Sequence, residues 1–122
     1  MSPFSRYRLR ILLSVAVFAG LFVSVSAFAG KDEEITHLLD YIDGSGCTFI
    51  RNGKSYPAPE ARSHMERKYG HVESRIKTSD QFIEYIATRS SISGKAYQIE
   101  CNGEKEESGP WLEAELARYR GQ

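Results

Sequence analysis

Thr78 to Cys101, TSDQFIEYIATRSSISGKAYQIEC, constrains the fold of this chain more than any other stretch. It reads as a capped amphipathic helix, a serine-rich loop and a strand that ends on a cysteine. Thr78-Ser79-Asp80-Gln81 has the form of a capping box, in which Thr78 accepts from an early backbone N–H and Gln81 reaches back. Phe82, Ile83, Ile86 and Ala87 follow at the spacing of one buried helical face. Ser90, Ser91, Ser93 and Gly94 break that pattern, because serines divert backbone hydrogen bonds and glycine permits a sharp turn. Tyr97, Ile99 and Cys101 then alternate with Gln98 and Glu100, the period of a half-buried strand.

Arg6, Arg8 and Arg10 precede an apolar run from Ile11 to about Val25, and Ala27-Phe28-Ala29 places small residues where a signal peptidase reads. The run is short for a membrane span, which needs about 20 apolar residues. The segment 1–29 is therefore expected to be a signal peptide cleaved between Ala29 and Gly30, with residues 30–122 forming one small α+β domain in the periplasm. Removing residues 1–29 from 122 leaves 93, and 13 basic residues against 16 acidic, a balance of −3. So small an imbalance lacks the charge footprint of a nucleic-acid binder, and it gives no reason for stable membrane insertion or surface attraction.

The mature part holds both cysteines, Cys47 and Cys101. In an oxidising compartment they are expected to pair, and neither belongs to a C-x-x-C redox motif. Asp32 to Asp43 reads as a first helix striped by Ile35, Leu38, Leu39 and Ile42, stopped by Gly44-Ser45-Gly46. Asn52-Gly53 between Cys47–Arg51 and Lys54–Tyr56 predicts a type I′ hairpin, because both turn residues tolerate positive φ. Arg51 then faces Lys54, and Phe49 faces Tyr56. Cys47 falls in phase with Phe49, as Cys101 does with Ile99, which favours a buried bridge.

A second helix is expected from Pro59 to about Tyr69, ended by Gly70. Asn102 to Gly109 reads as a charged loop. Pro110 begins a last helix that buries Trp111, Leu112, Leu116 and Tyr119. The order predicts an α+β fold: a small antiparallel β-sheet, made of the hairpin plus one later strand, packed by three to four helices.

The Phe49-Ile50-Arg51-Asn52-Gly53 hairpin, His64 and Lys68 in the next helix, Gln81-Phe82-Ile83, and Ser90-Ser91-Ile92-Ser93-Gly94-Lys95-Ala96-Tyr97 resemble the YfeK-like family in type and order. These are small exported bacterial proteins with a domain of unknown function. The resemblance covers nearly all of the mature chain and implies a periplasmic home without an assigned activity, so no catalytic residue is carried over from it.

Gly53-Lys54-Ser55 mimics the end of a P-loop, but Thr48 stands where the first glycine belongs and the segment is a hairpin tip. Ser91, Ser93 and Lys95 suggest a small hydrolase using Ser91 or Ser93, with lysine or His64 as base. However, Ile92 occupies the serine position of an S-x-x-K, and no G-x-S-x-G elbow is present. His37, His64 and His71 lack a metal-binding spacing. No cofactor or metal is implied. What remains is a polar ligand-binding set, Arg51, His64, Lys68, Ser91, Ser93 and Lys95, suited to an anionic or hydroxyl-rich group. The sequence thus points to a periplasmic binding or interaction module, an accessory or inhibitory partner of an envelope protein. The alternatives are the hydrolase and a purely structural envelope factor.

Overall fold

The acidic first turn Asp32-Glu33-Glu34 suits the positive end of α1, Lys31–Gly44, in a computed structural model that describes residues 29–122 together with 16, 17 and 19–21. Most of the 1–29 segment read above as a signal peptide lies outside the described residues. Helix α1 buries Ile35, Leu38, Leu39 and Ile42 as its spacing requires. Ser45 closes it by donating its hydroxyl to the Ile42 carbonyl at 2.7 Å.

Strands β1, Thr48–Arg51, and β2, Lys54–Pro57, form the expected hairpin, with Phe49 opposite Tyr56 and Arg51 opposite Lys54. Asn52 and Gly53 both take positive φ, 50° and 77°, as a type I′ turn demands. Helix α2, Ala58–Val72, begins at once behind Pro57 and buries Ala58, Ala61 and Met65. It runs past Gly70, the expected stop, and is followed by a 3₁₀ turn, Glu73–Arg75. Gly70 keeps a negative φ, so it serves as a helical residue, and partly buried Tyr69 and Val72 on either side pack against the core.

The Thr78 stretch differs from a plain α-helix. Thr78 accepts from the Gln81 N–H at 3.1 Å, the predicted cap, while Gln81 Oε1 reaches back to the Lys77 N–H at 2.7 Å. After α3, Ser79–Phe82, the chain widens into a π-helical turn, Ile83–Ala87. Side chains take carbonyls within the turn and at its C-terminal end, where the ladder leaves them free. Thr88 Oγ1 donates to the Ile83 carbonyl at 2.7 Å, Lys68 Nζ to the Ile86 carbonyl at 3.0 Å and Ser108 Oγ to the Ala87 carbonyl at 2.5 Å. The hydrophobic spacing is compatible with both turns, so it gave no warning of the wider one.

Strand β3, Gln98–Cys101, pairs with β1, and β4, Glu104–Glu107, pairs with β3, giving the antiparallel order β2-β1-β3-β4. The α+β expectation holds, with one strand more than expected. The segment read as a charged loop is a second hairpin, turned by Asn102 and Gly103 at φ 53° and 81°. Its sequence signal is the same Asn-Gly pair as in the first.

The β1–β3 register places Thr48 opposite Glu100, so Cys47 and Cys101 meet at the end of the pair and form a disulfide with 4.7 Å between Cα atoms. Helix α4, Ser108–Arg120, closes the core with Leu112 and Leu116. Trp111 and Tyr119, expected buried, are only partly so: Trp111 stacks on Tyr41 and meets Phe49 edge-on, and Tyr119 stacks on His37. Buried residues from all four helices and the two inner strands form one cluster.

Gly109 marks the tightest approach. A Cβ there would lie 2.9 Å from Thr88 Oγ1 and 3.3 Å from its methyl. Thr88 is held by its bond to Ile83, so it cannot yield freely. Gly109→Ala gains at most about 1 kcal/mol of helix propensity and meets an overpacking cost of about 1–3 kcal/mol. The variant is expected to be less stable by about 1 kcal/mol, read as a lower denaturant midpoint at unchanged slope.

Candidate functional site

Arg51 ends the inner strand β1, His64, Arg67, Lys68 and His71 recur along one face of α2, and Tyr97 lies just before β3. The β1–β3 pairing and the direct β2–α2 junction bring these residues around one groove. Its central section, about 260 Å³, is lined by Arg51, His64, Arg67, Lys68, His71 and Tyr97, with Ser90, Ser91 and Ile92 on the loop side. None of those side chains is a carboxylate, and among the described residues none of Arg51, Arg67 and Lys68 has an acidic partner.

Arg51 Nη1 lies 2.9 Å from each ring nitrogen of His64 and donates to whichever one lacks a proton. The Arg51 guanidinium carbon stands 5.9 Å from the centre of the Tyr56 ring. Arg51 Nε is buried without an acceptor among the described residues, an uncommon state for so strong a donor. His64 Nε2 lies 3.4 Å from the Tyr97 hydroxyl.

Lys68 Nζ donates to the Ile86 carbonyl at 3.0 Å, the Arg89 carbonyl at 2.8 Å and the Tyr97 hydroxyl at 3.2 Å. Those three acceptors use all its N–H bonds. It is a strut under the carbonyl end of the π-helical turn, and its positive charge opposes the negative dipole there. Lys68 therefore adds charge to the groove rather than a free donor.

The charges leave a mark on titration. Burial first, then Arg51, Lys68 and Arg67, hold the His64 imidazole below its ordinary 6.5, which favours the neutral ring at pH 7. Burial and then Arg51 lower Lys68, and burial raises the Tyr97 phenol.

Of the six residues singled out by sequence, Arg51 and His64 meet directly, Lys68 joins them through the Tyr97 hydroxyl, and Ser91 lines the same section. Ser93 is used locally: its hydroxyl donates to Asn52 Oδ1 at 2.5 Å and accepts from the Lys95 N–H at 3.2 Å. Ser90 accepts from Asn52 Nδ2 and from the Ile92 and Ser93 N–H groups, so the serine loop is latched to the tip of the first hairpin. Lys95 is exposed and lines none of the grooves described. No described hydrogen bond joins Ser91 or Ser93 to His64 or Lys68. Arg67, His71 and Tyr97 were not among the site residues the sequence singled out, although His64, Arg67, Lys68 and His71 carry the 3, 4 and 7 spacing of one helical face.

A small disulfide-tied α+β domain with several unpaired cations gathered in a groove is the class that fold and site define. Residues 29–120 match the model of a family of unknown function, DUF5329, and the chain belongs to that family. It is similar to the uncharacterized protein YfeK of Salmonella typhimurium, at 48% identity over 50 residues, 41% of this chain and 42% of that one. The match thus spans less than half the length of that curated relative. No solved structure matches the chain. No described helix is long and apolar enough to cross a membrane.

Proposed function

We propose that the chain is an exported, periplasmic binding module whose groove takes an anionic group of a ligand or envelope partner. The observation that carries this reading is the gathering of Arg51, Arg67, Lys68, His64 and His71 around a groove section lined by no carboxylate. Other cations that tie elements together are paired, Arg62 with Asp40 and Glu66 and Arg120 with Glu34 and Asp80. Leaving cations unpaired and close together costs stability through repulsion, which an incoming anion would relieve. Export through residues 1–29, with cleavage between Ala29 and Gly30, accords with the three arginines, the apolar run and a disulfide stable in an oxidising compartment.

His64 is the built-in reporter. An anion bound beside it offsets the charges of Arg51, Lys68 and Arg67 and raises its pKa toward the ordinary value. Titrating the His64 ring by NMR with and without inorganic phosphate is expected to show that rise, smaller at high salt and lost in an Arg51→Gln, Arg67→Gln double variant. An unmoved His64 titration across the phosphate series would remove the support for this reading.

A further inference from the structure

The central section does not end at its cations. Through Arg51, His64, Arg67 and Tyr97 it adjoins an arm of about 580 Å³ lined also by Phe49, Tyr56, Pro59 and Met65, with Glu60 its one carboxylate. Through Lys68, His71 and Ser91 it adjoins, on the other side, an arm of about 490 Å³ lined by Val72, Ile76, Tyr85 and Ile86 together with Arg75. The three sections share lining residues in a row: basic in the middle, with apolar and aromatic side chains at both ends beside one charge each, Glu60 on the first arm and Arg75 on the second. From residue 29 onward, the large apolar side chains left exposed are Tyr85, 57% exposed, and Ile92, 92% exposed. Both border this groove, Tyr85 on the second arm and Ile92 on the rim of the centre.

We propose that this groove binds an acidic peptide segment of a partner protein, with a large apolar residue on each side of its acidic centre. The proposal rests on the anion-groove reading and names its partner. Charge order decides between occupants. A free phosphate or small dicarboxylate fills the centre and leaves both apolar arms in water. A lipid or detergent carries its charge at one end of its apolar part, so it occupies the centre and one arm. A nucleic acid carries charge along its whole length and gains nothing from Val72, Ile76 and Ile86. A peptide places a carboxylate between two apolar side chains, and its backbone supplies acceptors for donors such as Arg51 and Arg67. Exposed aromatic side chains beside cations are also the pattern of interface anchors.

The test presents the oxidised protein with a library of short synthetic peptides in which two central glutamates are fixed and the flanking positions vary. A matching library carries two central glutamines. Vesicles of phosphatidylglycerol in phosphatidylcholine and inorganic phosphate are measured in parallel. Retained peptides are expected to carry a large apolar residue on both sides, and the glutamine versions to bind on the order of tenfold more weakly. Tyr85→Ser is expected to erase the preference on one side and Tyr56→Ser on the other, with Arg67→Gln weakening all acidic peptides and reducing salt dependence. Acidic peptides retained without any flanking preference, or vesicles bound while no peptide is, would overturn the peptide proposal and leave the anion groove standing. If peptides, vesicles and phosphate all fail to bind, both readings fall together.

Discussion

The Cys47→Ala, Cys101→Ala double variant is expected to lose about 4 kcal/mol of folding stability, from the 54-residue separation that the bridge closes in the unfolded chain. For a domain near this size each 1 kcal/mol moves the midpoint by about 4–8 °C, so a fall of roughly 20 °C in Tm is expected. Two further effects make the loss real rather than nominal. Cys47 is buried beside Phe49, so alanine removes packing volume as well as the crosslink. The bridge also clamps the β1–β3 pair, the sheet's one pairing between strands distant in sequence. Both β1–β2 and β3–β4 close through two-residue turns and need no such help. Chemical denaturation of the oxidised protein and the double variant measures the difference. A loss below about 1 kcal/mol would mean that the denatured chain already holds β1 near β3.

The elements that face the core were legible because burial imposes a period. The stripe of α1, the phase of Cys47 with Phe49 and of Cys101 with Ile99, and Leu112 and Leu116 in α4 all follow from it. Strand β4 was not legible in that way. Glu104, Lys105, Glu106 and Glu107 are exposed throughout, so nothing alternates, and only the Asn102-Gly103 turn announces the hairpin. That exposed edge carries charge, which discourages pairing with another chain. The π-helical turn was hidden for a different reason: Lys68 and Ser108, distant in sequence, take the carbonyls at its C-terminal end.

For the groove, local spacing was enough to unite His64 with Lys68, but the turn alone placed Arg51 only opposite Lys54. Ser93 does not line the groove, because a serine loop has two uses for its hydroxyls and here Asn52 took them, while Lys95 stays exposed. Arg67 and His71 were available on the same helical face. Without the β1–β3 register, nothing showed that this face overlooks Tyr97.

The other large effect is expected at the end of α4. Glu34, buried on α1, accepts from Arg120 at 2.6 and 2.9 Å and from Ser79 Oγ at 2.8 Å, while Arg120 also reaches Asp80 at 3.0 Å. The cluster ties α1, the start of α3 and the last residue of α4 together. The Arg120 contact, more than any other, holds the Glu34 carboxyl below its ordinary 4.5, with burial opposing it. Removing either partner is not equivalent. Glu34→Ala leaves a guanidinium whose side chain is 44% exposed, so water and Asp80 accommodate it, and the loss is about 1–2 kcal/mol.

Arg120→Ala instead strands a buried carboxylate with only Ser79. The cost of that stranding has a ceiling, because the carboxyl can take up a proton instead. From an ordinary pKa of 4.5, protonation at pH 7 costs about 3.4 kcal/mol, which bounds the penalty of the stranded carboxyl itself, to which the lost Arg120 contacts add. The pH dependence follows from the signs. In the native protein the depressed carboxyls of Glu34 and Glu115 contribute stability that is complete above about pH 4.5 and is lost as pH falls through their folded values. His64, also depressed, favours the unfolded state as pH falls through 6.5 toward its folded value, so two acid steps are expected. In Arg120→Ala the deficit should shrink as pH falls toward 4.5, because neutralising Glu34 becomes cheaper. Denaturant midpoints from pH 7 to pH 4 for the native chain, Glu34→Ala and Arg120→Ala measure this. An Arg120→Ala deficit that stays constant over that range would show that Glu34 is solvated without its arginine.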